Sequence, residues 1–337
     1  METLIIRYSG PDSLKPAAEI IKRGGIVAFP TETVYGLGGN ALDPDAARKI
    51  YEAKGRPSDN PLIVHLASYD KAGVYAHTTR SFFDIAEAFM PGPITVILKK
   101  RPFIPDSVTG GLDTVGIRVP SNNIARELIE LSGVPIAAPS ANLSGKPSPT
   151  SFNHVYHDLN GRVDAIIDGG TCQFGVESTI IKIDKKEIKL LRPGAVTIEM
   201  LSLFSDNIYV DPAVTERFEG VPLAPGMKYR HYAPERPLIV LEGSDDEVYE
   251  FLSDKPNSAV ICFDSDIKHI KTKKVISCGP SNDSLTQARK LFDCLRIVDK
   301  LTDIDVIYAR MPSKIGIGLA VFNRLIKAAG FSIIKLS

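Results

Sequence analysis

Two closely spaced cations in this sequence suit a ligand with several phosphate groups. Lys54 and Arg56 are separated by one residue after a predicted helix, and Asn60 lies just before the next predicted strand. Arginine presents a planar fork of donors and lysine a compact point charge, and a polyphosphate can use both. Cations at a helix C-terminus also complement the helix dipole. For Lys54 and Arg56 taken alone, this second explanation is the simpler one.

A group of short polar side chains follows a predicted apolar strand further along the chain. Within nine residues the sequence places Ser140, Asn142, Ser144 and Ser148, with Lys146 among them. Such side chains hydrogen-bond a ligand without adding net charge. A surface loop rich in serine and proline has the same composition, so the segment alone does not decide between the two.

The segment 29–41 (FPTETVYGLGGNA) predicts a glycine-rich turn after the first core strand. It carries three hydroxyl side chains followed by three glycines: Thr31, Thr33, Tyr35, Gly36, Gly38 and Gly39. Glycines in such a turn allow a positive φ and a close approach of backbone N–H groups to an anion. The chain contains no G-x-x-x-x-G-K-[ST] motif, so this is not a Walker A loop. A plain turn explains the glycines as well.

Three further polar residues, Arg118, Arg192 and His65, lie in or beside predicted strands. Ser178 lies in the segment GVESTI (175–180). If the guanidinium groups of Arg118 and Arg192 are buried, each needs a partner, and an anionic ligand and a structural carboxylate would serve equally well. His65, inside an apolar strand, is more often a core histidine than a catalytic one.

Charge and cysteine content exclude several classes of protein. Lys+Arg and Asp+Glu both number 40, so the formal net charge is zero and gives no support for a primary nucleic-acid binder. The four cysteines form no C-x-x-C pair, which excludes a zinc ribbon and suits a reducing cytosol. No apolar run approaches the roughly 18–20 residues that span a bilayer. We therefore expect a cytoplasmic protein without membrane contact.

The 337 residues predict two domains and a linker. Residues 1–205 alternate short β-branched runs with amphipathic stretches, and they predict a twisted mixed sheet covered by helices. Helices are predicted over 14–22, 45–53, 122–131 and 152–159, with Asp43 as an N-cap and Pro44 as the first residue of the second. Residues 206–235 are predicted to be an interdomain linker, because the stretch 221–237 around their end contains four prolines. Residues 236–337 alternate strands and helices as in a smaller Rossmann-like α/β domain.

Taken together in their order, these segments resemble the YrdC-like threonylcarbamoyl-AMP synthases in their long, two-domain form. The resemblance covers essentially the whole chain and rests on PTETVYGLG (30–38), KGRPSDNPLIVH (54–65), PGPITVIL (91–98), SANLSGKPSPT (140–150), GVEST (175–179), LLRPG (190–194) and APGMKYRHYAP (224–234). The family's K-x-R and S-x-N signature falls on Lys54, Arg56, Ser140 and Asn142, which implies catalytic roles for them.

The resemblance implies a nucleotidyltransferase that condenses L-threonine, bicarbonate or CO₂, and ATP to threonylcarbamoyl-AMP and diphosphate, with Mg²⁺ on the ATP. Separate proteins would then modify tRNAs that read codons beginning with A, so stable tRNA binding by this chain is not expected. By resemblance the threonine contacts are Thr33, His65, Arg118, Ala138 and Ser178. The ATP contacts are Arg56, Asn60, Thr114, Ser140, Ser148, Arg192 and Tyr229.

Two other classes of protein remain as alternatives. One is an RNA-binding module, although zero net charge and the lack of an RNP-type aromatic motif disfavour it. The other is a carbamoyltransferase of the hydrogenase-maturation type, which would carry cysteine-rich zinc segments that this sequence lacks.

The aromatic and cationic cluster of the linker, with Tyr229 at its centre, predicts a lid that closes over the nucleotide and excludes water.

Overall fold

The protein contains two sheets, each covered by helices. The computed structural model describes residues 2–185, 187–217, 220, 222–227, 232–272 and 274–337. Within these residues an 11-stranded mixed sheet forms the N-terminal domain and a 5-stranded sheet forms the C-terminal domain. This confirms the predicted fold class, a large mixed α/β sheet followed by a smaller Rossmann-like unit.

The strands of the first sheet are β1 (Leu4–Arg7), β2 (Val27–Phe29), β3 (Gly36–Asn40), β4 (Ile63–His65), β5 (Ile94–Lys99), β6 (Thr114–Arg118), β7 (Ile136–Ala138), β8 (Ala165–Asp168), β9 (Thr179–Asp184), β10 (Glu187–Arg192) and β11 (Asn207–Val210). The helices around it are α1 (Lys15–Lys22), α2 (Pro44–Lys54), α3 (Ala72–Tyr75), α4 (Arg80–Phe89), α5 (Asp106–Thr109), α6 (Asn123–Ser132), α7 (Phe152–Leu159) and α8 (Ile198–Leu201). The strand order is β1-β8-β2-β3-β7-β4-β6-β5-β9-β10-β11.

The C-terminal domain contains β12 (Leu238–Glu242), α9 (Asp245–Leu252), β13 (Ser258–Cys262), β14 (Val275–Ser277), α10 (Ser284–Asp299), β15 (Val306–Arg310), α11 (Gly318–Ala328) and β16 (Ile333–Lys335). Its strands are ordered β14-β13-β15-β12-β16, and each of these pairings is parallel. Parallel neighbours require crossover connections, which here include α9, α10 and α11.

Helix α2 shows how local sequence fixes the start and end of an element near the candidate site. The Asp43 side chain accepts a hydrogen bond from the Asp45 backbone N–H, and Pro44 occupies the first turn, where no donor is needed. Gly55 ends the helix in the left-handed region, with φ 60°. The helix therefore stops at Lys54 and leaves that side chain at the end of the helix. The predicted cap and proline positions are confirmed.

Residues 30–35 form the bent connection between the antiparallel strands β2 and β3, as predicted, whereas the prediction that the glycines lie in this turn was wrong. Gly36, Gly38 and Gly39 all lie in β3, and none of them has a positive φ. The glycines are required by packing instead: a Cβ on Gly38 would lie 2.7 Å from the Phe29 ring and would also collide with Ile136. A backbone without side chains lets the neighbouring strands β2 and β7 bring large residues over β3.

Strand β11 lies within the segment predicted as the linker. It pairs in parallel with β10, with Glu187 opposite Asn207 and Leu190 opposite Val210. The large sheet therefore includes residues up to Val210, and the domain limits proposed from the sequence stay a prediction.

Helix α10 joins the two domains through polar contacts with α7. The Arg296 guanidinium donates to both carboxylate oxygens of Asp158, at 2.9 and 2.7 Å. Asp293 contacts the His154 ring at 3.2 Å. Among the described residues, no helix is both long enough and apolar enough to cross a membrane.

Candidate active site

Residues from most of the motifs converge on one pocket in the N-terminal domain. The pocket contains about 700 Å³ of space between atoms, a figure that includes its solvent-open mouth. Eight of the residues predicted for the site line it: Lys54, Arg56, His65, Arg118, Ala138, Ser140, Asn142 and Arg192. Four of these eight are cationic, so the pocket is positive although the chain as a whole is neutral.

Sheet register brings the predicted threonine contacts together. Strand β4 pairs in parallel with β6, which places His65 opposite Arg118. It pairs antiparallel with β7, which places Ile63 opposite Ala138. Adjacent strands lie about 4.8 Å apart, so three residues from distant parts of the sequence share one wall of the pocket.

His65 is a buried neutral imidazole. Its ring is 3% exposed, and Nδ1 donates to the Ile63 carbonyl at 3.0 Å. Burial, with the nearby Arg118 charge, lowers its pKa to about 3. His65 is therefore uncharged at neutral pH and offers a neutral polar contact to a ligand.

Arg118 is held by a buried carboxylate and a threonine hydroxyl. Its Nη2 donates to Glu32 Oε1 at 2.7 Å and to Thr33 Oγ1 at 2.8 Å. Glu32 Oε2 also accepts from the Ser121 backbone N–H at 3.1 Å, which fixes the carboxylate. Arg118 Nε, in contrast, is buried and has no hydrogen-bond partner within the described part of the chain. Since buried donors are almost always paired, this N–H is a position for a ligand acceptor.

The two halves of the K-x-R and S-x-N signature contact each other. The Lys54 ammonium donates to the Ser140 carbonyl at 2.6 Å and to the Asn142 carbonyl. The Ser140 hydroxyl donates to Asn142 Oδ1 at 2.6 Å. Burial lowers the pKa of Lys54 well below its usual value, and the neighbouring charge of Arg56 lowers it further. Lys54 thus fixes the polar loop after β7 against the end of α2.

Arg56 lines the pocket beyond Lys54, and Asn60 lies next to Arg56 outside the lining. Arg56 Nη2 donates to the backbone carbonyls of Asn60 and Pro61, both at 3.2 Å. Asn60 is 2% exposed, and its Oδ1 is buried without a hydrogen-bond partner among the residues that the structure describes.

Arg192 connects the end of β10 to Ser178 and to the start of the interdomain segment. Its Nε donates to the Ser178 carbonyl at 3.1 Å and its Nη2 to the Ser178 hydroxyl at 3.2 Å. Its Nη1 donates to the Pro225 carbonyl at 3.3 Å. Pairing between β9 and β10 is irregular between Leu190 and Arg192, and such irregularities re-aim side chains.

The remaining predicted residues lie outside the pocket lining. Thr33 and Ser178 do not line the pocket, but each accepts a hydrogen bond from a lining residue: Thr33 from Arg118 and Ser178 from Arg192. Ser148 is buried and donates to Glu177 Oε1 at 2.5 Å. Thr114 begins β6, about 13 Å along the strand from Arg118, and is not among the described lining residues. Tyr229 lies outside the described residues.

Sequence reasoning missed three residues of the site: Glu32, Glu177 and Tyr232. Glu32 and Glu177 lie inside motifs that were quoted, PTETVYGLG and GVEST, but their partners are distant in the sequence. Tyr232 lines the pocket and is 5% exposed. The aromatic cluster of the linker indicated that a tyrosine contacts the ligand, but the prediction named Tyr229 and not Tyr232.

Two family models match this chain, and together they cover most of it. One is the Sua5/YciO/YrdC model, described as telomere recombination, over residues 19–194. The other is described as the C-terminal domain of threonylcarbamoyl-AMP synthase, over residues 196–330.

Similar full-length proteins carry one name. A threonylcarbamoyl-AMP synthase of Pyrococcus abyssi (strain GE5 / Orsay) is 46% identical over 332 residues, which is 96% of both chains. One of Bacillus subtilis (strain 168) is 44% identical and covers 95% of this chain and 93% of its own. The crystal structure of P. abyssi Sua5 complexed with L-threonine matches with a TM-score of 0.92 at 44% identity, over 100% of both chains.

Proposed function

Since this chain belongs to the threonylcarbamoyl-AMP synthase family, we propose that it condenses L-threonine, bicarbonate or CO₂, and ATP to threonylcarbamoyl-AMP and diphosphate. The observation that carries the proposal is a pocket in which four cations, among them Arg118 with a buried N–H that has no partner among the described residues, meet a loop of neutral polar groups. Such a set of residues suits one carboxylate and one polyphosphate in the same site.

Threonine is placed at the wall formed by β4, β6 and β7. Arg118 Nε donates to its carboxylate, while Glu32 and Thr33 hold the other side of the guanidinium. The neutral His65 and the backbone at Ala138 lie beside it. The structure of the P. abyssi relative with L-threonine supports this choice of substrate.

ATP is placed between the end of α2, the loop after β7 and Arg192. Arg56 and Lys54 approach the phosphates, and the loop that carries Ser140 and Asn142 forms a neutral polar side of the nucleotide site. Mg²⁺ enters as part of the MgATP substrate, held mainly by phosphate oxygens and water. Among the described residues there is no group of three or more His, Cys, Asp or Glu side chains that could hold a metal ion.

The reaction needs positioning rather than a protein nucleophile. The threonine amine forms a carbamate, either with CO₂ and loss of a proton to solvent or with bicarbonate and loss of water. A carbamate oxygen then attacks the α-phosphorus. The bond from that phosphorus to the bridging oxygen breaks, and diphosphate leaves with the electron pair. Fixed cations stabilise the negative charge that grows on the phosphate oxygens. Lys54 and Arg192 are already immobilised by hydrogen bonds, so little reorganisation is required.

The interdomain segment is proposed to form part of this site. Pro225, Gly226 and Tyr232 line the pocket, which supports a role for this segment in closing over the nucleotide. Tyr229 stays a prediction for the ATP phosphates. We also propose a cytoplasmic location, in keeping with four free cysteines, and transfer of the product to tRNA by separate proteins.

Mass spectrometry of the product tests the proposal. Purified protein is incubated with threonine, ¹³C-bicarbonate, ATP and Mg²⁺, and the expected product is threonylcarbamoyl-AMP carrying the ¹³C label together with diphosphate. Reactions without threonine or without Mg²⁺ are the controls. A wild-type protein that forms no such adduct refutes the proposed function.

A further inference from the structure

Helix α11 of the C-terminal domain presents buried polar side chains to the N-terminal domain. Asn323, Arg324 and Lys327 are 2%, 0% and 5% exposed. Asn323 donates to the Val214 carbonyl at 2.6 Å, and Lys327 donates to the Gly226 carbonyl in the interdomain segment. A helix that only packed onto its own sheet would not bury three such groups, because burying polar groups without partners is costly.

Arg324 contacts the pocket wall through Glu177. Its Nε donates to Glu177 Oε2 at 2.9 Å and its Nη2 to the Glu177 backbone carbonyl at 3.4 Å. Its Nη1 donates to the Pro193 carbonyl at 2.6 Å, directly after Arg192. One guanidinium therefore holds the side chain and backbone of Glu177 and the end of the strand that carries Arg192.

Glu177 in turn orders two other side chains of the site. Its Oε1 accepts from the Ser148 hydroxyl at 2.5 Å, and burial together with the nearby Glu177 charge raises the pKa of Tyr232. Burial would raise the pKa of Glu177, but the charges of Arg324 and Arg192 and the hydrogen bonds outweigh it and lower the pKa to about 2. Glu177 is therefore an ionised acceptor in the pocket wall.

Helix α10 also contacts the segment that carries Glu177. A Cβ on Gly175 would lie 2.6 Å from the Ala288 carbonyl oxygen, so only glycine fits there. Arg289 Nε donates to the Gln173 carbonyl at 2.7 Å, and the Gly175 N–H donates to the Thr33 carbonyl at 3.1 Å. Residues 173–178 thus lie between the two C-terminal helices and the threonine-binding wall.

We propose that Arg324 is a positioning residue for ATP, acting through Glu177 on Ser148 and Tyr232, so that the C-terminal domain forms the floor of the active site. This inference rests on the proposed function for the identity of the nucleotide. It assigns a role to the C-terminal domain beyond connecting the two halves of the chain.

The competing explanation is that Arg324 merely attaches one domain to the other. Both explanations predict lower stability when Arg324 is changed, so melting temperature alone does not separate them. They differ in ligand affinity: a positioning residue changes ATP affinity in folded protein, whereas a domain contact does not.

The first experiment compares Arg324→Lys with wild type by calorimetric titration of MgATP and of threonine. Lysine keeps the positive charge beside Glu177 but cannot donate to the Glu177 carboxylate and to the Pro193 carbonyl at the same time. We expect ATP affinity to fall about ten-fold, as for loss of one charge-assisted hydrogen bond, with much less change for threonine. Asp293→Ala, which removes the polar contact with His154, is the matched interdomain control and should leave both affinities unchanged.

A double-mutant cycle with Ser148→Ala tests the route of the effect. If Arg324 acts through Glu177 and Ser148, Arg324→Lys should weaken ATP binding less in the Ser148→Ala background than in wild type. Full additivity would overturn the proposal, and so would unchanged ATP affinity in a folded Arg324→Lys protein.

Two further outcomes are assigned in advance. If Arg324→Lys does not fold, Glu177→Gln with Arg324 intact decides: weakened ATP binding supports the proposal and wild-type binding overturns it. If wild type binds ATP but forms no threonylcarbamoyl-AMP, the proposed reaction fails, while the comparison of ATP affinities still decides the role of Arg324.

Discussion

The buried guanidinium of Arg118 is the group whose replacement tests the threonine wall most directly. Arg118→Lys keeps a positive charge beside Glu32, which is 3% exposed. Lysine carries one ammonium group on a flexible stem, so it cannot satisfy Glu32 and Thr33 and also donate along the direction of Nε. The variant therefore removes the ligand contact while preserving the buried ion pair.

The expected effect of Arg118→Lys follows from the bonds that are lost. One charge-assisted hydrogen bond contributes about 1.5–3 kcal/mol, and about 1.4 kcal/mol corresponds to a ten-fold change. The KM for threonine should therefore rise by about ten-fold to about 150-fold. The KM for ATP should change far less, because Arg118 belongs to the wall formed by β4, β6 and β7, whereas Arg56 is held at the Asn60 and Pro61 carbonyls. Arg118→Met is unsuitable, since an unpaired buried Glu32 would cost about 3–5 kcal/mol of stability.

Diphosphate release measured at saturating ATP and varied threonine is the assay, with the melting temperature of each variant as a control for folding. A folded Arg118→Lys protein with an unchanged KM for threonine would refute the assignment of Nε to the carboxylate. A rise in the KM for ATP instead would show that the two ligands had been exchanged.

Three other outcomes are expected. Arg56→Ala should slow turnover by about ten-fold to hundreds-fold and change threonine affinity little; loss of threonine affinity in a titration would contradict this. Valine should have a much lower kcat/KM than threonine, and serine an intermediate value, because valine lacks the hydroxyl and leaves its buried partner in the protein unpaired. Equal kcat/KM values for valine and threonine would show that the hydroxyl is not recognised. Glu177, with a pKa lowered from 4.5 to about 2, stabilises the fold above pH 4.5 by about 3 kcal/mol, and this is lost as pH falls towards 2. Urea unfolding at pH 5 and pH 3 should therefore show a steeper loss for wild type than for Glu177→Gln, and parallel losses would refute it.

Local signals in the sequence were sufficient for elements whose ends are set by neighbouring residues. Helix α7 was predicted over 152–159 and occurs there, because Ser151 caps it by accepting from the His154 N–H. The start of α2 was equally predictable from Asp43 and Pro44. In both cases the decisive interaction spans four residues or fewer.

The parts that could not be predicted depend on long-range packing. The glycines of β3 were interpreted as turn residues because nothing nearby in the sequence shows that Phe29 and Ile136 lie over them. Glu177 and Arg324 are 147 residues apart, and neither belongs to a pattern that predicts their pairing. The motifs thus indicated which segments form the site, whereas the carboxylates that hold its arginines emerged only from the three-dimensional structure.

The sequence separation between Glu177 and Arg324 also has a consequence for how the protein is made. A ribosome adds about 5–20 residues per second, so the 147 residues between Glu177 and its partner take about 7–30 seconds to synthesise. During this interval Glu177 has its Ser148 partner but not the Arg324 guanidinium. We expect the nascent domain to keep residues 173–178 loosely ordered until α11 docks, so that translation itself delays nucleotide binding until the second domain has folded.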